Sequence, residues 1–402
     1  QKTAYEISLG LVGSEMCIRD RFNSTLVKIS KETMKLISEK RITVTDIINR
    51  LLNSSFKINC NVFDSYILLE EFSDEIINKL RRTFGIEFAA PSLYGDIKML
   101  NEIIPSYVEY YKQKYEKDRI RFETFKVHDL SGDKEVVVLI KRVLTDKGLK
   151  ENANYPDFTI YVNKYNQKYV IYSEIIKGPD GIPANMGKKV VCLISGGPDS
   201  TLSAWLVARS GAEIIGVYFD FGVKELRDLA RARTIKAFRR LTRDWNIRGK
   251  LYIIPFVEIV REISSKCAPK NFFVLLKRYM IRVAKKIAER EGAYAIVTGE
   301  VLGEHASQTA WNLHVISMVS EDIPIIRPVI QMDKVEILKI TQNIDPELYN
   351  IVSSSIEPCV IFKRIRPTTQ AKLDEIEKDE NNISISEETL EDVIVKSAII
   401  TA

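Results

Sequence analysis

Val190-Val191-Cys192-Leu193-Ile194 followed by Ser195-Gly196-Gly197-Pro198-Asp199-Ser200 joins an apolar run of strand type to a Gly-Gly turn, and an amphipathic helix with Leu202, Trp205 and Leu206 on one side begins directly after it. This is a strand–loop–helix unit with the loop at the carboxyl end of the strand. Glycines let backbone N–H groups approach a ligand, and the first turn of a helix adds unpaired donors and partial positive charge, so the loop suits an anion such as pyrophosphate. Pro198 fits an early helix position, where its missing donor costs little. Asp199 brings a negative charge that makes sense if Mg²⁺ sits between it and the phosphates.

A Walker loop needs G-x-x-x-x-G-K-[ST], and no such lysine is present. The pattern S-G-G-x-D-S instead resembles the pyrophosphate loop of ATP-dependent adenylating enzymes, which cleave ATP between the α- and β-phosphates and place AMP on a carbonyl-type oxygen. An ordinary strand-to-helix turn is the plainer alternative.

Downstream the pattern is regular. Strands are predicted at 190–194, Glu213–Phe219, Leu251–Phe256 and Tyr294–Val297, separated by helices at 200–210, 223–245 and Phe272–Arg290. Strands alternating with helices imply α/β architecture, a parallel sheet with its ligand at the strands' carboxyl ends. The polar loop Thr298–Thr309 leaves the fourth strand at such an end. Helix 223–245 is rich in Lys224, Arg227, Arg231, Arg233, Lys236, Arg239, Arg240 and Arg243. It reads as a nucleic-acid-facing surface, with a solvated helix face as the alternative.

Upstream, residues 1–21 read as a non-native, adapter-derived segment. The string from Ala4 to Arg21 resembles translated sequencing-adapter text, and the chain lacks an initiator Met. It is set aside from the fold, which makes 22–95 a truncated first domain of α+β type. There Thr45 can cap a helix from Asp46 to Leu52, and Ser73 a helix through Leu80 to Thr83. Ser65–Leu69 and Ile86–Ala90 read as strands. A second α+β domain covers 96–185, with a helix over Met99–Tyr115. A strand and a helix, in either order, occupy Phe122–Val127 and Glu135–Leu139. Two strands, Phe158–Val162 and Tyr169–Tyr172, flank the turn 164–168. Basic residues including Lys112, Lys114, Lys117, Arg119, Lys141 and Arg142 interleave there with tyrosines, a composition that fits RNA contact and a solvated charged face alike. The turn-rich Gly178–Pro183 reads as a linker into the ATP domain, 186–372. The acidic stretch 373–402 reads as a terminal helix or a partly disordered tail.

Composition sets outer limits. The 402 residues suffice for two or three domains, and 45% hydrophobic residues imply real cores. No apolar run reaches the roughly 18–20 residues of a membrane helix. Cys17, Cys60, Cys192, Cys267 and Cys359 are too scattered for a disulfide framework, so a reduced, cytoplasmic protein is expected. A net charge of +5 does not by itself argue for nucleic acid.

The motifs in order are Ser195–Ser200, Lys277-Arg278-Tyr279-Met280, Thr298–Thr309, Arg327-Pro328-Val329-Ile330, Asp333-Lys334, and Cys359 ahead of Arg366-Pro367-Thr368. Over residues 180–372 this series resembles the tRNA 4-thiouridine synthases, the ThiI family. The resemblance implies a ferredoxin-like domain at 22–95, a THUMP RNA-binding domain at 96–185 and a PP-loop ATP pyrophosphatase domain. It implies adenylation of uridine 8 of tRNA at O4 and replacement of that oxygen by sulfur, with some relatives also serving thiamine thiazole synthesis. Catalytic positions are then Cys359 as sulfur handler, Asp199 as Mg²⁺ support and Lys334 as cation. Nucleotide contacts fall to Ser195, Gly196, Gly197, Asp199, Ser200, Thr201, Tyr218, Phe219, Arg278, Gly299, Gln308 and Arg327, with Ser307 and His305 nearby. RNA contacts fall to Lys112, Lys114, Lys117, Arg119, Lys141, Arg142, Arg239 and Arg240. Partners are tRNA and either a persulfide donor such as a cysteine desulfurase or free sulfide; the family tendency is a homodimer.

Two departures stand out. No rhodanese-like domain is expected, and Phe273 and Leu276 stand where other members carry a CxxC pair, so no iron–sulfur cluster is expected. Cys60 and Cys192 read as core. Rival readings are another PP-loop adenylating enzyme, such as a different tRNA thiolase, and a non-catalytic tRNA-binding protein.

Overall fold

The computed structural model describes residues 22–43, 47, 59–222, 224–353 and 366–401, leaving aside the side chains of 224–227. The helix expected over Asp46–Leu52 (Ile47 apart), its cap Thr45, and Cys17 and Cys359 lie outside the described residues. The chain divides into two compact units, Gln1–Gly181 and Ile182–Ala402, with the boundary inside the turn-rich Gly178–Pro183.

The first unit opens with β1 (Ser24–Ile29), α1 (Lys31–Ser38), β2 (Cys60–Phe63) and β3 (Tyr66–Leu69). It continues with α2 (Asp74–Leu80) and β4 (Ile86–Gly95). Ser73 caps α2 as its spacing predicts, accepting the Ile76 N–H at 3.2 Å. Then come α3 (Ile97–Lys117), β5 (Thr124–Asp129), α4 (Lys134–Asp146), β6 (Lys150–Glu151), β7 (Phe158–Tyr165), β8 (Lys168–Tyr172) and β9 (Ile176–Lys177). The order left open by sequence is strand first: Val136, Leu139, Ile140, Val143 and Leu144 recur at helical spacing and are buried on α4. The β7–β8 hairpin turns on Asn166 and Gln167 alone, both with positive φ, as a two-residue turn of type I′ requires. Among the described residues the nine strands form one sheet, ordered β2-β3-β1-β4-β8-β7-β5-β6 with β9 also on β4. The ten-residue β4 joins the regions 22–95 and 96–185, pairing with β1 on one side and β8 on the other.

In the second unit β10 (Lys189–Leu193), α5 (Pro198–Arg209), β11 (Glu213–Asp220) and α6 (Lys224–Arg239) follow one another. A π-helical turn, Arg240–Asp244, continues α6 into β12 (Gly249–Pro255), α7 (Val257–Lys266), α8 (Phe272–Glu291) and β13 (Ile296–Val297). α9 (Ala310–Ser317), β14 (Ile325–Ile326), α10 (Lys334–Ile344) and α11 (Pro346–Val352) come next. The sheet runs β14-β13-β10-β11-β12, all parallel, and β15 (Ala398–Thr401) follows β12 at the edge. Strands buried on both faces need continuous apolar runs, and Val190-Val191-Cys192 and Ile214-Ile215 supply them.

The acidic C-terminal stretch is not a tail. It folds into α12 (Leu373–Asn382), α13 (Glu387–Val395) and β15 (Ala398–Thr401), which adds antiparallel to the edge of β12. Ile376, Leu390, Val393 and Ile394 enter the main core of this unit. Its acids meet the basic side of α8: Glu380 takes Arg278 and Arg282, each at 2.8 Å, and Glu387 takes Lys286 at 2.7 Å. Counting charges concealed this, because four apolar side chains, worth about 1.5–3 kcal/mol each when fully buried, decide the placement.

Candidate functional site

β10 delivers the chain to Ser195 at the sheet's carboxyl edge, and Gly197 is the N-cap of α5. The two glycines do different jobs. Gly196 has φ +73°, and a Cβ there would lie 2.7–2.8 Å from atoms of Thr234, buried on α6. The fold therefore demands glycine at 196. A Cβ on Gly197 would meet nothing closer than Ser195 Oγ at 3.5 Å, so its outer side is open. Ser200 Oγ accepts the Ser195 N–H at 3.2 Å and donates to the Gly197 carbonyl at 3.3 Å. The Gly197 N–H reaches Ser195 Oγ at 3.4 Å. These bonds preshape the turn. Thr201, expected among the nucleotide contacts, is corrected: it is fully buried, and its hydroxyl donates back to the Gly197 carbonyl at 2.8 Å.

Asp199 projects from the first turn of α5. Its Oδ1 is buried and has no hydrogen-bond partner. Burial first, and Glu304 second, push its carboxyl up to about 6, against the pull of Lys334 and His305. An orphaned, partly buried carboxylate oxygen fits a hard cation such as Mg²⁺. Gly299 locks the second half of the site onto this turn, since a Cβ there would lie 2.4 Å from Ser200 N. Gly299, expected at nucleotide, also lines the cavity.

The next residue, Glu300, is the electrostatic centre. Its Oε1 accepts Lys277 Nζ at 2.9 Å, and its Oε2 accepts Arg327 Nε at 2.8 Å and Thr298 Oγ1 at 3.0 Å. Burial alone would raise the Glu300 pKa; Lys277 and Arg327 outweigh it and hold the carboxyl below the usual range. Arg327, expected on phosphate, spends Nε on Glu300 and Nη2 on Ser317 Oγ at 2.9 Å. Arg278, also expected at nucleotide, is buried with Nε and Nη2 on the Glu380 carboxylate and Nη1 on the Val315 carbonyl at 2.6 Å. It clamps α8 to α12.

Asp199, Ser200, Lys277, Gly299 and Glu300 are among the residues that line a cavity of about 500 Å³. Ser195, Asp199 and Ser200 form one wall. Tyr218 and Phe219 lie at the end of β11, while Phe273, Lys277, Met280 and Ile281 come from α8. The loop after β13 adds Thr298, His305, Ser307 and Gln308, the last with a buried, unpartnered Oε1. Pro367 closes the rim. A charged end beside an apolar wall suits a nucleotide, with phosphates at the loop and a base against aromatics. Lys334 begins α10 as an exposed residue, while Asp333 caps that helix by accepting the Glu336 N–H at 2.8 Å.

Cys359 lies outside the described residues, but the chain just after it is anchored. Asn312 Nδ2 donates to the Thr368 carbonyl at 2.8 Å, and Thr309 Oγ1 to the Thr369 carbonyl at 2.7 Å. Cys192 is buried in β10 as expected. Cys60 is only half-buried, a correction to its expected place in the core. Cys267 is half-buried too, and burial pushes its thiol up to about 11. Phe273 lines the cavity and Leu276 is buried, so neither position offers a metal ligand.

Among the basic candidates, Lys117, Arg119, Arg142 and Arg239 are exposed and Lys112 is half-buried. Lys114 pairs with Glu174 at 2.7 Å and Lys141 with Glu151 at 2.6 Å. Arg240 is corrected outright. Its side chain is 10% exposed and holds the buried Asp345 through Nε at 2.8 Å and Nη2 at 2.9 Å. That ion pair ties the π-helical turn to the cap of α11. Sequence reasoning missed Glu300 and Lys277 as site residues. Their signal was present in the loop and in the Lys277-Arg278 motif, but a helix position must be seen before one neighbour can be preferred to the other.

The family model described as thiamine biosynthesis protein (ThiI) matches residues 185–385. A probable tRNA sulfurtransferase of Acetivibrio thermocellus is 31% identical over 363 residues, covering 85% of this chain and 88% of its own. One from Brevibacillus brevis is 28% identical, covering 88% and 89%. Among solved structures, a 4-thiouridine synthetase–RNA complex with bound ATP superposes with a TM-score of 0.78 at 24% identity, covering 94% of this chain and 99% of that one. PH1313 from Pyrococcus horikoshii Ot3 gives 0.55 at 16% identity, over 80% and 99%. At these identities the two structures speak to the fold.

Proposed function

The chain belongs to the ThiI family, with the tRNA sulfurtransferases as its relatives, and on that premise we propose that it uses ATP to adenylate uridine 8 of tRNA and replaces O4 with sulfur, giving 4-thiouridine. The observation that carries the reading is one cavity that joins the Ser195–Ser200 turn, the orphaned Asp199 oxygen and the Lys277–Glu300 pair. In this reading the amides at the start of α5 hold the pyrophosphate end of ATP. Mg²⁺, when bound at Asp199, supplies charge that screens the phosphates. Gln308 and Ser307 orient the substrate by hydrogen bonds, and the apolar wall of Phe273, Met280 and Ile281 excludes water from the adenylate.

Bond by bond, uridine O4 attacks the α-phosphorus, the bond from that phosphorus to the pyrophosphate oxygen breaks, and pyrophosphate leaves. Sulfide then adds at C4, the C4–O bond breaks, and AMP departs with the oxygen. With sulfide as donor the balance needs no oxidant or reductant. A persulfide carrier, such as one loaded by a cysteine desulfurase, delivers the same atom through Cys359, and a thiol must then cleave the S–S bond. We read Phe273 and Leu276 as support for chemistry without an iron–sulfur cluster. The reading assigns tRNA capture to the first unit, with 22–95 as ferredoxin-like and 96–185 as THUMP, and puts the enzyme in the cytoplasm with its RNA. The description of the matched family also supports a second use of the sulfur, in making the thiazole of thiamine.

The test is thiolation of unmodified tRNA with Mg-ATP and sulfide, comparing the intact protein with Cys359→Ser. A 4-thiouridine product that the variant fails to make supports both the reaction and the cysteine. Full activity in the variant reduces Cys359 to a docking point for a carrier. AMP release without 4-thiouridine would leave adenylation standing and remove the substrate assignment.

A further inference from the structure

The chain has three tryptophans, and two of them, Trp205 and Trp245, are buried and meet edge to face at 5.3 Å. Trp311 is 51% exposed. It stands in the first turn of α9, three residues past Gln308 of the cavity wall, so its backbone lies within about 10 Å of that wall. A second tether fixes it there. Trp311 Nε1 donates to the Ala371 carbonyl at 2.5 Å. The next residue, Asn312, accepts the Ala371 N–H at 2.8 Å and donates to the Thr368 carbonyl beside Pro367 of the cavity rim. Its amide also donates to the Ala306 carbonyl at 2.7 Å, in the loop that carries Ser307 and Gln308. The indole is therefore held between two segments that both reach the cavity, while it lies outside the cavity wall itself. Its single donor is spent on Ala371, so what it offers a partner is the ring. The surface beside it is basic. Arg366, which precedes Pro367, is exposed and has no carboxylate partner among the described residues, and His314, one helical turn beyond Trp311, is exposed as well.

We propose that Trp311 is a base-stacking residue for the RNA substrate, holding the nucleotide next to the reacting uridine while that uridine enters the cavity. The proposal rests on the thiolation reading above. Chemistry on a base requires the base to leave its stack, and the unstacking must be offset by contacts outside the helix. The reacting uracil belongs inside, with O4 at the α-phosphorus. A ring fixed just outside the wall meets its neighbour instead, and replaces the stacking that neighbour loses. Arg366 is placed to meet the phosphate between the two. Every base has a π-face, so the indole sets how far the strand enters rather than which base comes next. The hydrogen bond to Ala371 holds the ring in one orientation, which lowers the entropy lost when a base settles on it.

The experiment uses the full chain with unmodified tRNA, Mg-ATP and sulfide. Trp311→Ala should lower kcat/KM for tRNA by about tenfold or more, the loss expected when a stacked base is left without its platform, while the Kd for ATP alone stays within about twofold. Trp311→Phe keeps an aromatic face and lacks the Nε1 donor, so it should stay within about threefold of the intact protein. That rescue separates the ring's contact with RNA from its clasp on Ala371. Intrinsic fluorescence gives a readout independent of activity. Titrating tRNA without ATP should quench the emission of the intact protein, and the quenching should vanish in Trp311→Phe, because Trp205 and Trp245 are buried away from any base. Quenching that persists in Trp311→Phe overturns the proposal, as does a Trp311→Ala protein with kcat/KM within twofold of the parent. A Phe variant no better than the Ala variant reduces Trp311 to a structural clasp. A Trp311→Ala protein that is normal with sulfide and slowed only with a protein persulfide carrier makes the ring a protein-docking point, which also overturns it. If the intact protein makes no 4-thiouridine, the thiolation reading falls, and the quenching difference still decides whether Trp311 meets RNA.

Discussion

Asp199 carries its charge where burial and Glu304 oppose it, with a pKa up at about 6. The folded protein therefore holds that proton more tightly than the unfolded chain does. The site costs stability above about pH 6, and the cost fades as pH falls toward the ordinary aspartate value near 4. A two-unit shift corresponds to about 3 kcal/mol, which partial exposure of the side chain screens to about 1–2 kcal/mol. Asp199→Asn should raise the Tm at pH 8 without Mg²⁺, converge with the parent near pH 4, and abolish ATP-dependent turnover. Coincident melting curves at pH 8 would rule out the electrostatic account. The adjacent glycines divide differently. Gly196→Ala should cost about 2 kcal/mol or more, from a left-handed φ and a clash with Thr234, whereas Gly197→Ala should leave the melting temperature within a degree or two and weaken ATP binding. Equal losses in thermal denaturation would sink this distinction. The residues of the turn were legible in the sequence, because Gly, Pro and Asp carry stereochemical meaning at a helix start. That only one glycine is structural was not, because the atoms that require it belong to Thr234, 38 positions on.

Among elements, the alternating strands and helices from β10 to β13 could be read in advance because parallel strands buried on both faces advertise themselves as apolar runs. Two-residue β14 and the returning edge strand β15 could not. The first is too short to show a period, and the second is chosen by a partner, β12, far back in the chain. Helix α6 shows the same limit for function. Its basic content suggested one nucleic-acid face, but the π-helical turn that follows it rotates Arg240 inward onto Asp345, while Arg239 stays exposed. Composition counts both as positive charge; only the helical phase separates them. Arg240→Met should therefore leave Asp345 buried without its guanidinium and destabilise the second unit by about 3–5 kcal/mol. Arg239→Gln should be nearly silent in stability and should weaken tRNA binding. Urea unfolding and a tRNA-binding titration on the two variants check both halves. A stable Arg240→Met protein with reduced RNA affinity would reverse the assignment.

Across the whole molecule, chemistry and RNA capture are assigned to different compact units, and this division has a measurable consequence. The net charge of +5 is too small to make the entire surface attractive to a polyanion, so affinity must come from locally unneutralised cations. Lys114 and Lys141 are paired with carboxylates and have less to offer a phosphate; Lys112, Lys117 and Arg119 carry no such partner among the described residues. Each phosphate contact releases condensed counterions on binding, so it contributes to the slope of log K against log salt by roughly 0.7–0.9. Replacing Lys112, Lys117 and Arg119 together by Gln should flatten that slope by about 2 to 3, and raise the KM for tRNA at moderate salt. ATP binding measured without tRNA should be unchanged, because none of the three belongs to the unit that holds the cavity. A Lys114→Gln, Lys141→Gln pair should flatten the slope by less, since breaking an ion pair frees a carboxylate as it removes a cation. If the triple variant keeps its salt slope while Arg239→Gln loses it, capture belongs to the second unit, and the RNA contacts assigned to 96–185 must move to the exposed face of α6.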